Sequence, residues 1–447
     1  MEVAEEELTI SDKYESLFRW PEVTDEDDPL YVVDTAIVTG GRNSQKSFAV
    51  GTATCVMAKD WARSVLYTRY TLTATQDSIV PEFKEKIDLL NCESSFDVLK
   101  DRVIALDDEG NEKAKIAFKG IKTSSGNQTA SLKSLKGFSV FVLDEAEEMP
   151  DYSGWDKIKK SIRAEKRNLN VIILNPTTKE HWIYKEFFEE RGVPEGFNGI
   201  VGNVLYIHSS YLDMQKEHIA ENLLADFEES RLCYEDLKDK TEDEILKLEV
   251  THPRKVKLYR YYKHVVLGGW LDKAEGVIFT NWRYGEFEEV APSVWGQDFG
   301  FSTDPTTLVQ TSIDKKRKRL YVKLHLYKPK LKTSEIYEAN SDAARSGLIY
   351  ADSAEPRLIS ELKGLGNNIK ATIKGQGSIT AGIAVLQDFN EIIVDPSSVE
   401  LGKEFNNYVW HDKKSKIPVD AFNHAIDAIR YAVYPQYAKK KREIYNN

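Results

Sequence analysis

The sequence is poor in several features that would mark a particular class of protein. It has only three cysteines (Cys55, Cys92 and Cys233), and their wide spacing suits neither a disulfide framework nor a zinc site. No apolar run approaches the roughly 20 residues of a membrane-spanning helix. The acidic N-terminal stretch lacks the basic and apolar regions of a secretion signal. These absences predict a soluble protein of a reducing compartment, with no membrane partner.

An excess of positive charge is also missing. The chain has 61 Lys and Arg against 72 Asp and Glu, a net charge of −11, which argues against a general nucleic-acid coat. Basic residues nevertheless cluster at 252–264, 314–319 and 439–442. Such clusters are often solvated faces, hairpin tips or tails. Contact with DNA through them stays open, because DNA binding depends on local neutralisation of phosphates.

At 447 residues the chain exceeds one ordinary hydrophobic core, which predicts two domains with a connecting piece. Over the first 200 residues, short apolar runs alternate with amphipathic stretches, and this alternation predicts a parallel α/β sheet. The runs are "AIVTGG", "SVLYTRY", "SVFVLDEAEE" and "NVIILNPTT". Residues 211–250 are rich in Glu, Leu and Lys and predict helices, so a domain boundary is expected between about 250 and 290.

The pattern changes after about residue 290. Two alternating runs, "TTLVQTSI" and "RLYVKLHLY", flank the turn "DKKRK" and predict an antiparallel hairpin. Two further strand candidates, "GLIYADS" and "EIIVDPSS", precede a final helix predicted over "VDAFNHAIDAIRYAVY".

The stretch "TGGRNSQKSF", residues 39–48, follows the first apolar run and precedes a helix-compatible segment. In a phosphate-binding loop, backbone N–H groups and a helix N-terminus point at the phosphates, while Lys adds charge and Ser or Thr holds a metal. Gly40 and Gly41 would make the tight turn, and Lys46 and Ser47 match the pattern. Gln45 departs from it, because glycine is usual at that position. Taken alone, this stretch is equally compatible with an ordinary strand-to-helix turn.

Two later strand ends favour the nucleotide interpretation. The run "VFVL" delivers Asp144 and Glu145, as a strand does when one carboxylate holds Mg²⁺ and a second orients the attacking water. Another strand ends in "LNPTT", where Asn175 could sense the γ-phosphate, although Asn-Pro alone favours a turn. The order of these three elements predicts an ATPase site.

A second set of polar residues lies in the last third of the chain. Asp298 and Asp352 each follow a short strand, and Asp427 lies on the final helix with His424 three residues earlier, so that both share a face. Three carboxylates in these positions can hold two Mg²⁺ ions for in-line displacement at a phosphodiester.

Two other interpretations of this second set stay open. His424 and Asp427 could be the polar face of an amphipathic helix whose apolar stripe is Phe422, Ile426, Ile429 and Val433. The competing carboxylates are Asp304, Glu355 and Asp395; of these, Asp395 also stands at a strand end, so position alone does not exclude it.

Both sets, in this order, resemble the large terminase subunit of tailed bacteriophages. The similarity runs from about residue 35 to 435 and includes further segments. They are "HSSYLD", "GQDFGFSTDPTTLV", "YADSAEPRLISEL", "KGQGSITAGIAVLQ" and "FNHAIDAIRYAV".

The resemblance implies a fold and a domain plan. It implies an α/β protein with a RecA-like, additional-strand P-loop ATPase domain followed by an RNase H-like nuclease domain. The ATPase domain with its N-terminal segment is expected over 1–210 and a helical linker subdomain with its connection over 211–288. The nuclease domain is expected over 289–435 and a basic tail over 436–447.

The resemblance also implies roles for individual residues. The nucleotide would be bound by Gly40, Gly41, Arg42, Asn43, Ser44, Gln45, Lys46, Ser47, Asp144 and Asn175, with Ser47 and Asp144 on Mg²⁺ and Arg42 as the arginine typical of this loop. Glu145 would be the catalytic base. Asp298, Asp352 and Asp427 would hold Mg²⁺ or Mn²⁺ for DNA cleavage, assisted by His424.

The implied function is genome packaging: ATP hydrolysis drives double-stranded DNA into a prohead, and the nuclease cuts it. The implied partners are double-stranded DNA, the portal protein and the small terminase subunit. The chain would form a ring when docked and be a monomer in solution, in the host cytoplasm. Lys133, Lys136 and Arg163 are candidate cations acting on a neighbour's nucleotide. A nuclease with an ATP-dead docking domain, favoured by Gln45, and a helicase-like ATPase with a structural C-terminal domain remain alternatives.

Overall fold

The computed structural model describes residues 9–70, 75–121, 135–149, 151–164, 167–215, 219–272, 274, 276–300, 304–373, 377–410 and 417–444. The chain divides into two compact units, residues 1–271 and residues 272–447. Lys133 lies outside the described residues, as do the side chains of Lys136, Arg163 and the basic cluster 439–442. No helix in the described part of the chain is both long and apolar enough to cross a membrane.

The first unit is built on a mixed sheet. Its strands are β1 (Thr35–Gly40), β2 (Val65–Arg69), β3 (Phe96–Val98), β4 (Arg102–Leu106), β5 (Glu112–Gly120), β6 (Leu135–Lys136), β7 (Val140–Asp144), β8 (Ile162–Arg163), β9 (Leu169–Leu174), β10 (Gly199–Val201) and β11 (Val204–Ser209). Within the described residues, nine of them pair in the order β10-β11-β1-β9-β7-β2-β5-β4-β3. The run from β11 to β5 is parallel, and the edge strands pair antiparallel. Strands β6 and β8 pair separately.

Some helices of the first unit lie between its strands along the chain, and others come after its last strand. They are α1 (Glu15–Arg19), α2 (Lys46–Trp61), α3 (Thr75–Leu89), α4 (Tyr152–Lys159), α5 (Trp182–Tyr184), α6 (Glu221–Leu237), α7 (Glu242–Thr251) and α8 (Pro253–Tyr261). Helices α5 and α8 continue as π-helical turns over Lys185–Glu189 and Tyr262–Val266. The helices predicted within 211–250 are therefore present.

Burial explains why the central strands read as apolar runs. Strands β1, β7 and β9 are buried at every position. Alternate residues enter two cores on opposite faces: Val38 and Val142 enter one, and Ile37 and Leu143 enter the other. A parallel sheet covered on both faces needs such continuous apolar runs. The predicted α/β sheet and its four strand candidates are confirmed as β1, β2, β7 and β9.

The second unit contains a smaller mixed sheet. Its strands are β12 (Trp282–Tyr284), β13 (Val294–Asp298), β14 (Thr306–Asp314), β15 (Arg319–Lys328), β16 (Ile349–Ala351), β17 (Ile369–Ala371) and β18 (Glu391–Val394). Its helices are α9 (Thr333–Ala344), α10 (Pro356–Leu365), α11 (Ser378–Gln387), α12 (Val399–Asn407) and α13 (His424–Ile444).

The order of the second sheet is β12-β18-β15-β14-β13-β16-β17 among the described residues. Strands β14 and β15 form the predicted antiparallel hairpin. Strands β13 and β16 pair in parallel, so their carboxyl ends lie side by side at one edge. Helix α13 packs closely on β13, because a Cβ at Gly296 would come within 1.8 Å of the Ala428 carbonyl oxygen.

The final helix starts later than the sequence predicts. It begins at His424 rather than at residue 419, and Phe422 has a left-handed φ of 57° that a helix cannot contain. Ile426, Ile429 and Val433 are fully buried, as predicted for the apolar stripe, but Phe422 is 41% exposed. Its assignment to the stripe is therefore wrong.

Candidate active sites

The first candidate site begins where β1 ends. Gly40 and Gly41 run so close to other backbone that a Cβ would lie 1.9 Å from the Ser209 carbonyl oxygen or 1.8 Å from that of Val266, respectively. The glycines are thus required by close backbone packing, in addition to any turn. Arg42 is exposed, and its N–H donates to the Val265 carbonyl at 2.8 Å.

The loop after Gly41 uses the left-handed conformation twice, at Asn43 and Gln45, with φ of 54° and 59°. Between them, buried Ser44 donates its hydroxyl to the Gly41 carbonyl at 2.7 Å. Glycine is typical at the Gln45 position because it adopts positive φ without steric cost. Gln45 adopts the same φ, and its amide approaches the Thr9 carbonyl at 3.5 Å.

Lys46 opens α2 and turns back into the loop. Its Nζ donates to the carbonyls of Gly40 and Gly41 at 3.1 and 2.6 Å and to Asn175 Oδ1 at 3.1 Å. Burial lowers the pKa of Lys46 to about 8, against the opposing pull of Glu147 and Asp144. The ammonium group is therefore held by oxygen atoms of the loop and of Asn175, at the start of α2.

Asp144, at the end of β7, is held by two partners. Ser47 donates its hydroxyl to Oδ1 at 2.9 Å, and Arg69 donates to Oδ2 at 3.0 Å. Arg69 Nε also lies 3.8 Å from Glu145 Oε1. Burial raises the pKa of Glu145, although Arg69 opposes the shift.

Arg69 was not predicted from the sequence. The sequence did contain a signal, since the apolar run "SVLYTRY" includes a charged residue, Arg69, near its end. The structure explains it, because parallel β2 and β7 place Arg69 beside Asp144.

Asn175 links Lys46 to a second residue that the sequence prediction missed. Its side-chain amide donates to Glu147 Oε1 at 3.1 Å. Glu147 Oε2 is buried without a hydrogen-bond partner in the described part of the chain, and burial raises the pKa of Glu147. The loop after β7 is further tied to the segment after β9 by Trp182, which donates to the Met149 carbonyl at 2.7 Å.

A cavity of about 820 Å³ lies over these groups. This volume is in the range of pockets that hold drug-sized ligands. Lys46, Ser47, Asp144 and Asn175 line it together with the whole of the loop 42–45, and Met214, Ile219 and Leu223 add apolar surface. The cavity thus combines a polar end, where cations and carboxylates both stand, with an apolar wall.

Two loops of this site, the one after β1 and the one after β9, are hydrogen-bonded to a single stretch of chain. This stretch, Val265–Leu271, is here called the link segment. Arg42 N–H reaches the Val265 carbonyl, as described above. The Lys179 N–H donates to the Leu271 carbonyl at 2.9 Å, and the Leu271 N–H donates to the Thr177 carbonyl at 2.8 Å. The link segment is the last part of the first unit before residue 272.

The second candidate site begins at the carboxyl ends of β13 and β16. Asp298 is the last residue of β13, and Asp352 follows β16. The Asp352 N–H donates to the carbonyl of Gln297 at 3.1 Å. Two aspartates separated by 54 positions in sequence therefore stand on neighbouring strands.

Helix α13 brings the remaining predicted residues to this edge. His424 Nδ1 lies 3.2 Å from Asp298 Oδ2, and this hydrogen bond raises the pKa of His424. Tyr431 donates to Asp352 Oδ2 at 3.5 Å. Burial raises the pKa of Tyr431, and the charges of Asp427, Asp298 and Asp352 raise it further. Asp427 lies on the same face of α13 as His424 and Tyr431, three residues after the first and four before the second.

Asp427 does not point into solvent: its side chain is 15% exposed and pairs with Arg430, whose Nη2 lies 2.7 Å from Oδ1. Within the described residues, no three or more acidic, histidine or cysteine side chains already lie close enough to share a metal ion. Asp298 and Asp352 stand at neighbouring strand ends, and carboxylate oxygens are the ligands that Mg²⁺ and Mn²⁺ prefer.

The competing carboxylates occupy different positions. Asp304 is 66% exposed, with Oδ1 4.0 Å from His424 Nε2, and Glu355 is exposed on the surface. Asp395 follows β18, which is three strands from β13, about 14 Å away at the usual strand spacing. It is also engaged by Lys323 at 3.5 Å, so the geometry separates Asp395 from this group.

Comparisons with known proteins match both halves of the chain. Residues 33–238 match the family model for the phage terminase large subunit, and residues 298–434 match the model for the terminase RNase H-like domain. The terminase large subunit of Bacillus phage SPP1 is 27% identical and the PBSX phage terminase large subunit of Bacillus subtilis (strain 168) is 22% identical, each over 424 residues. These alignments cover 89% of this chain and 90% and 89% of those proteins.

Among solved structures, the nuclease domain of the large terminase of phage SPP1, with bound Mn, is 30% identical. It covers 36% of this chain and 99% of that domain, with a TM-score of 0.34.

Proposed function

Because this chain belongs to the phage terminase large subunit family, we propose that it is the motor and nuclease that packages a viral genome. ATP hydrolysis in the first unit drives double-stranded DNA into a prohead. A two-metal endonuclease in the second unit cuts concatemeric DNA when packaging starts and ends. The observation that carries this proposal is the presence, in one chain, of the Lys46–Asp144–Asn175 cavity and of a helix face that carries Asp427 and contacts Asp298 and Asp352.

In the first site, the N-terminus of α2 and Lys46 bind the triphosphate, as a helix N-terminus and a buried ammonium favour anions. Ser47 and Asp144 would hold Mg²⁺, and their mutual hydrogen bond shows that both reach one point. When bound, Mg²⁺ neutralises charge on the β- and γ-phosphates. The apolar wall of Met214, Ile219 and Leu223 suits a nucleobase.

Glu145 and Asn175 complete the proposed hydrolytic set. Glu145 follows the Mg²⁺ carboxylate and lines the cavity, where a carboxylate can orient the attacking water. Asn175, which bonds both Lys46 and Glu147, would respond to the γ-phosphate. Arg42 is exposed and lines the cavity, where its guanidinium would bind phosphate.

In the second site, Asp298 and Asp352 would hold Mg²⁺ or Mn²⁺, and Asp427 is the third acidic group. When bound, the metal activates water and stabilises the charge that develops on the phosphodiester. His424 fixes Asp298 through its hydrogen bond and is available for proton transfer. Cleavage should depend weakly on sequence, because contacts to the DNA backbone carry no base information.

Gln45 gives the ATP-dead alternative its one specific support. Against it, Gln45 takes the backbone conformation that glycine usually supplies, and Lys46, Ser47 and Asp144 remain bonded around the cavity. We therefore retain an active ATPase in the proposal.

ATP turnover and plasmid cleavage, measured on wild type and three variants, test the function. Lys46→Ala should abolish turnover and spare cleavage, because it removes the ammonium group held among the loop carbonyls. Asp298→Ala should do the reverse. Glu145→Ala should lose turnover while binding nucleotide, which separates catalysis from binding. Wild type without turnover supports the ATP-dead alternative. Wild type without metal-dependent cleavage supports the helicase-like one.

The proposed partners are double-stranded DNA, a portal protein and a small terminase subunit, and the site of action is the host cytoplasm at the portal. The tip of the β14–β15 hairpin supports DNA contact only in part, since Lys318 and Arg319 pair with Asp388 and Glu391.

The chain would form a ring on docking, because a cation from a neighbouring subunit commonly completes phosphoryl transfer. Turnover should therefore rise with prohead and small subunit. Turnover per molecule that is high, and independent of both protein concentration and partners, would contradict the ring.

A further inference from the structure

Helix α13 supplies a partner for each of the three aspartates of the second site. His424 bonds Asp298, Tyr431 bonds Asp352, and Arg430 bonds Asp427. His424 and Tyr431 each bond a carboxylate at a strand end elsewhere in the chain, whereas Arg430 bonds a carboxylate of its own helix. Arg430 thus contacts Asp427, the one aspartate of the three that does not stand at a strand end.

Arg430 is deeply buried for a charged residue, at 4% exposure. Both Nη2, at 2.7 Å, and Nε, at 3.1 Å, reach the same oxygen, Asp427 Oδ1. Its guanidinium carbon lies 5.2 Å from the centre of the Tyr431 ring. A planar, permanently charged fork of this kind restricts a carboxylate more than a single ammonium can.

The neighbouring helix α11 has a notch that accepts the stem of Arg430. A Cβ at Gly382 would lie 2.3 Å from Arg430 Cγ and 2.4 Å from Cδ. Cγ and Cδ are in the middle of the Arg430 side chain. Because the guanidinium is bound to Asp427, these two atoms have little freedom to move aside. The absence of a side chain at Gly382 is therefore a condition for the observed position of Arg430.

We propose that Arg430, seated in the Gly382 notch, is a positioning residue of the nuclease site: it fixes the Asp427 carboxylate among Asp298 and Asp352 so that the three can serve divalent metal. This inference rests on the proposed nuclease function. Arg430 itself touches neither the reacting phosphodiester nor the metal; it acts through Asp427.

The test measures Mn²⁺ binding to the full chain, without DNA or nucleotide, by calorimetry and by electron paramagnetic resonance of free Mn²⁺. Asp298→Ala defines the signal that belongs to the nuclease site. Gly382→Ala fills the notch while leaving every charge in place. Its matched control is Gly364→Ala in α10, a helical glycine with open space where the methyl group would go. Arg430→Gln and Arg430→Lys then remove the charge or keep it without the fork.

Gly382→Ala and Arg430→Gln should weaken the Asp298-dependent Mn²⁺ affinity about tenfold or more, and Arg430→Lys should fall between them and wild type. Gly364→Ala should match wild type, and ATP turnover should be equal in all of them. A residue that only stabilised the fold would lower the unfolding temperature and leave the Mn²⁺ dissociation constant of the folded protein unchanged.

Two outcomes overturn the inference, and they are distinguishable. If wild type has an Asp298-dependent Mn²⁺ site and Gly382→Ala keeps its affinity within twofold, Arg430 does not position Asp427 and the nuclease proposal stands. If wild type has no Asp298-dependent Mn²⁺ site and does not cut DNA, the nuclease proposal fails and this inference with it. Should Arg430→Gln fail to fold, Gly382→Ala alone decides between these results.

Discussion

Gln45 shows how one residue can depart from a motif and keep its geometry. Its φ of 59° belongs to the left-handed region, which costs an L-residue about 1–2 kcal/mol. Gln45→Gly should therefore be as stable as wild type or up to about 1 kcal/mol more stable, part of the relief being offset by the greater freedom of glycine when unfolded. Gln45→Val should lose about 1–2 kcal/mol, because β-branched residues rarely adopt positive φ. Calorimetric unfolding measures both; equal stability of the two variants would contradict the assignment.

Lys46 gives a prediction at the same scale. With its pKa lowered to about 8 by burial, the free protein loses this charge above that pH, whereas a bound triphosphate favours the protonated form. Affinity for a non-hydrolysable ATP analogue should be level below pH 8 and then fall by up to about tenfold per pH unit. Lys46→Arg is the control, because arginine stays protonated. An equal decline in that variant would exclude Lys46 as the titrating group.

Individual residues also mark the limit of prediction from sequence. Asp144, Lys46 and Asn175 were predicted because a motif or a strand end places them. Arg69 and Glu147 were missed, although both bond predicted residues. Strand order, which sets the neighbours of β7, comes from long-range pairing that local patterns do not contain.

Among the elements, α13 depends on a carboxylate from another helix. Glu404, on α12 and 1% exposed, accepts the N–H groups of Ala425 and Ile426 at 3.1 and 2.9 Å. These are two of the donors that a helix leaves without partners at its N-terminus. The sequence alone placed the start of this helix five residues too early, since neither the distant cap nor the positive φ of Phe422 is visible in a periodic pattern.

Loss of this cap should be measurable. Glu404→Ala should cost about 2–4 kcal/mol, because two buried N–H groups lose their acceptor, and Glu404→Gln should recover part through its single carbonyl oxygen. Hydrogen exchange of a peptide spanning 424–428 should accelerate in Glu404→Ala. The control is Glu400→Ala on the same helix, where the residue pairs with the neighbouring Lys403 at the surface. Unchanged exchange in Glu404→Ala would show that another group caps α13.

For the whole molecule, the sequence predicted the architecture better than the contacts. Continuous apolar runs indicate a doubly covered parallel sheet because burial on both faces demands them, and these runs became β1, β2, β7 and β9. The meeting of Asp298 with Asp352 also follows from two strand ends at one edge. The separation of Asp395 does not, since only the order of strands in the second sheet reveals it.

The link segment has a consequence for chain length. Val265 and Leu271 each hold one nucleotide loop through backbone hydrogen bonds, which no side-chain substitution can replace. One glycine inserted between Gly269 and Trp270 should therefore break the register between the loops while leaving their own residues intact. We expect ATP turnover within about twofold of wild type, since one loop can keep its bonds, and loss of DNA packaging into proheads. Packaging at the wild-type rate would show that the spacing is immaterial. If the spacing does matter, selection should eliminate insertions within these seven residues, although surface loops generally tolerate insertions.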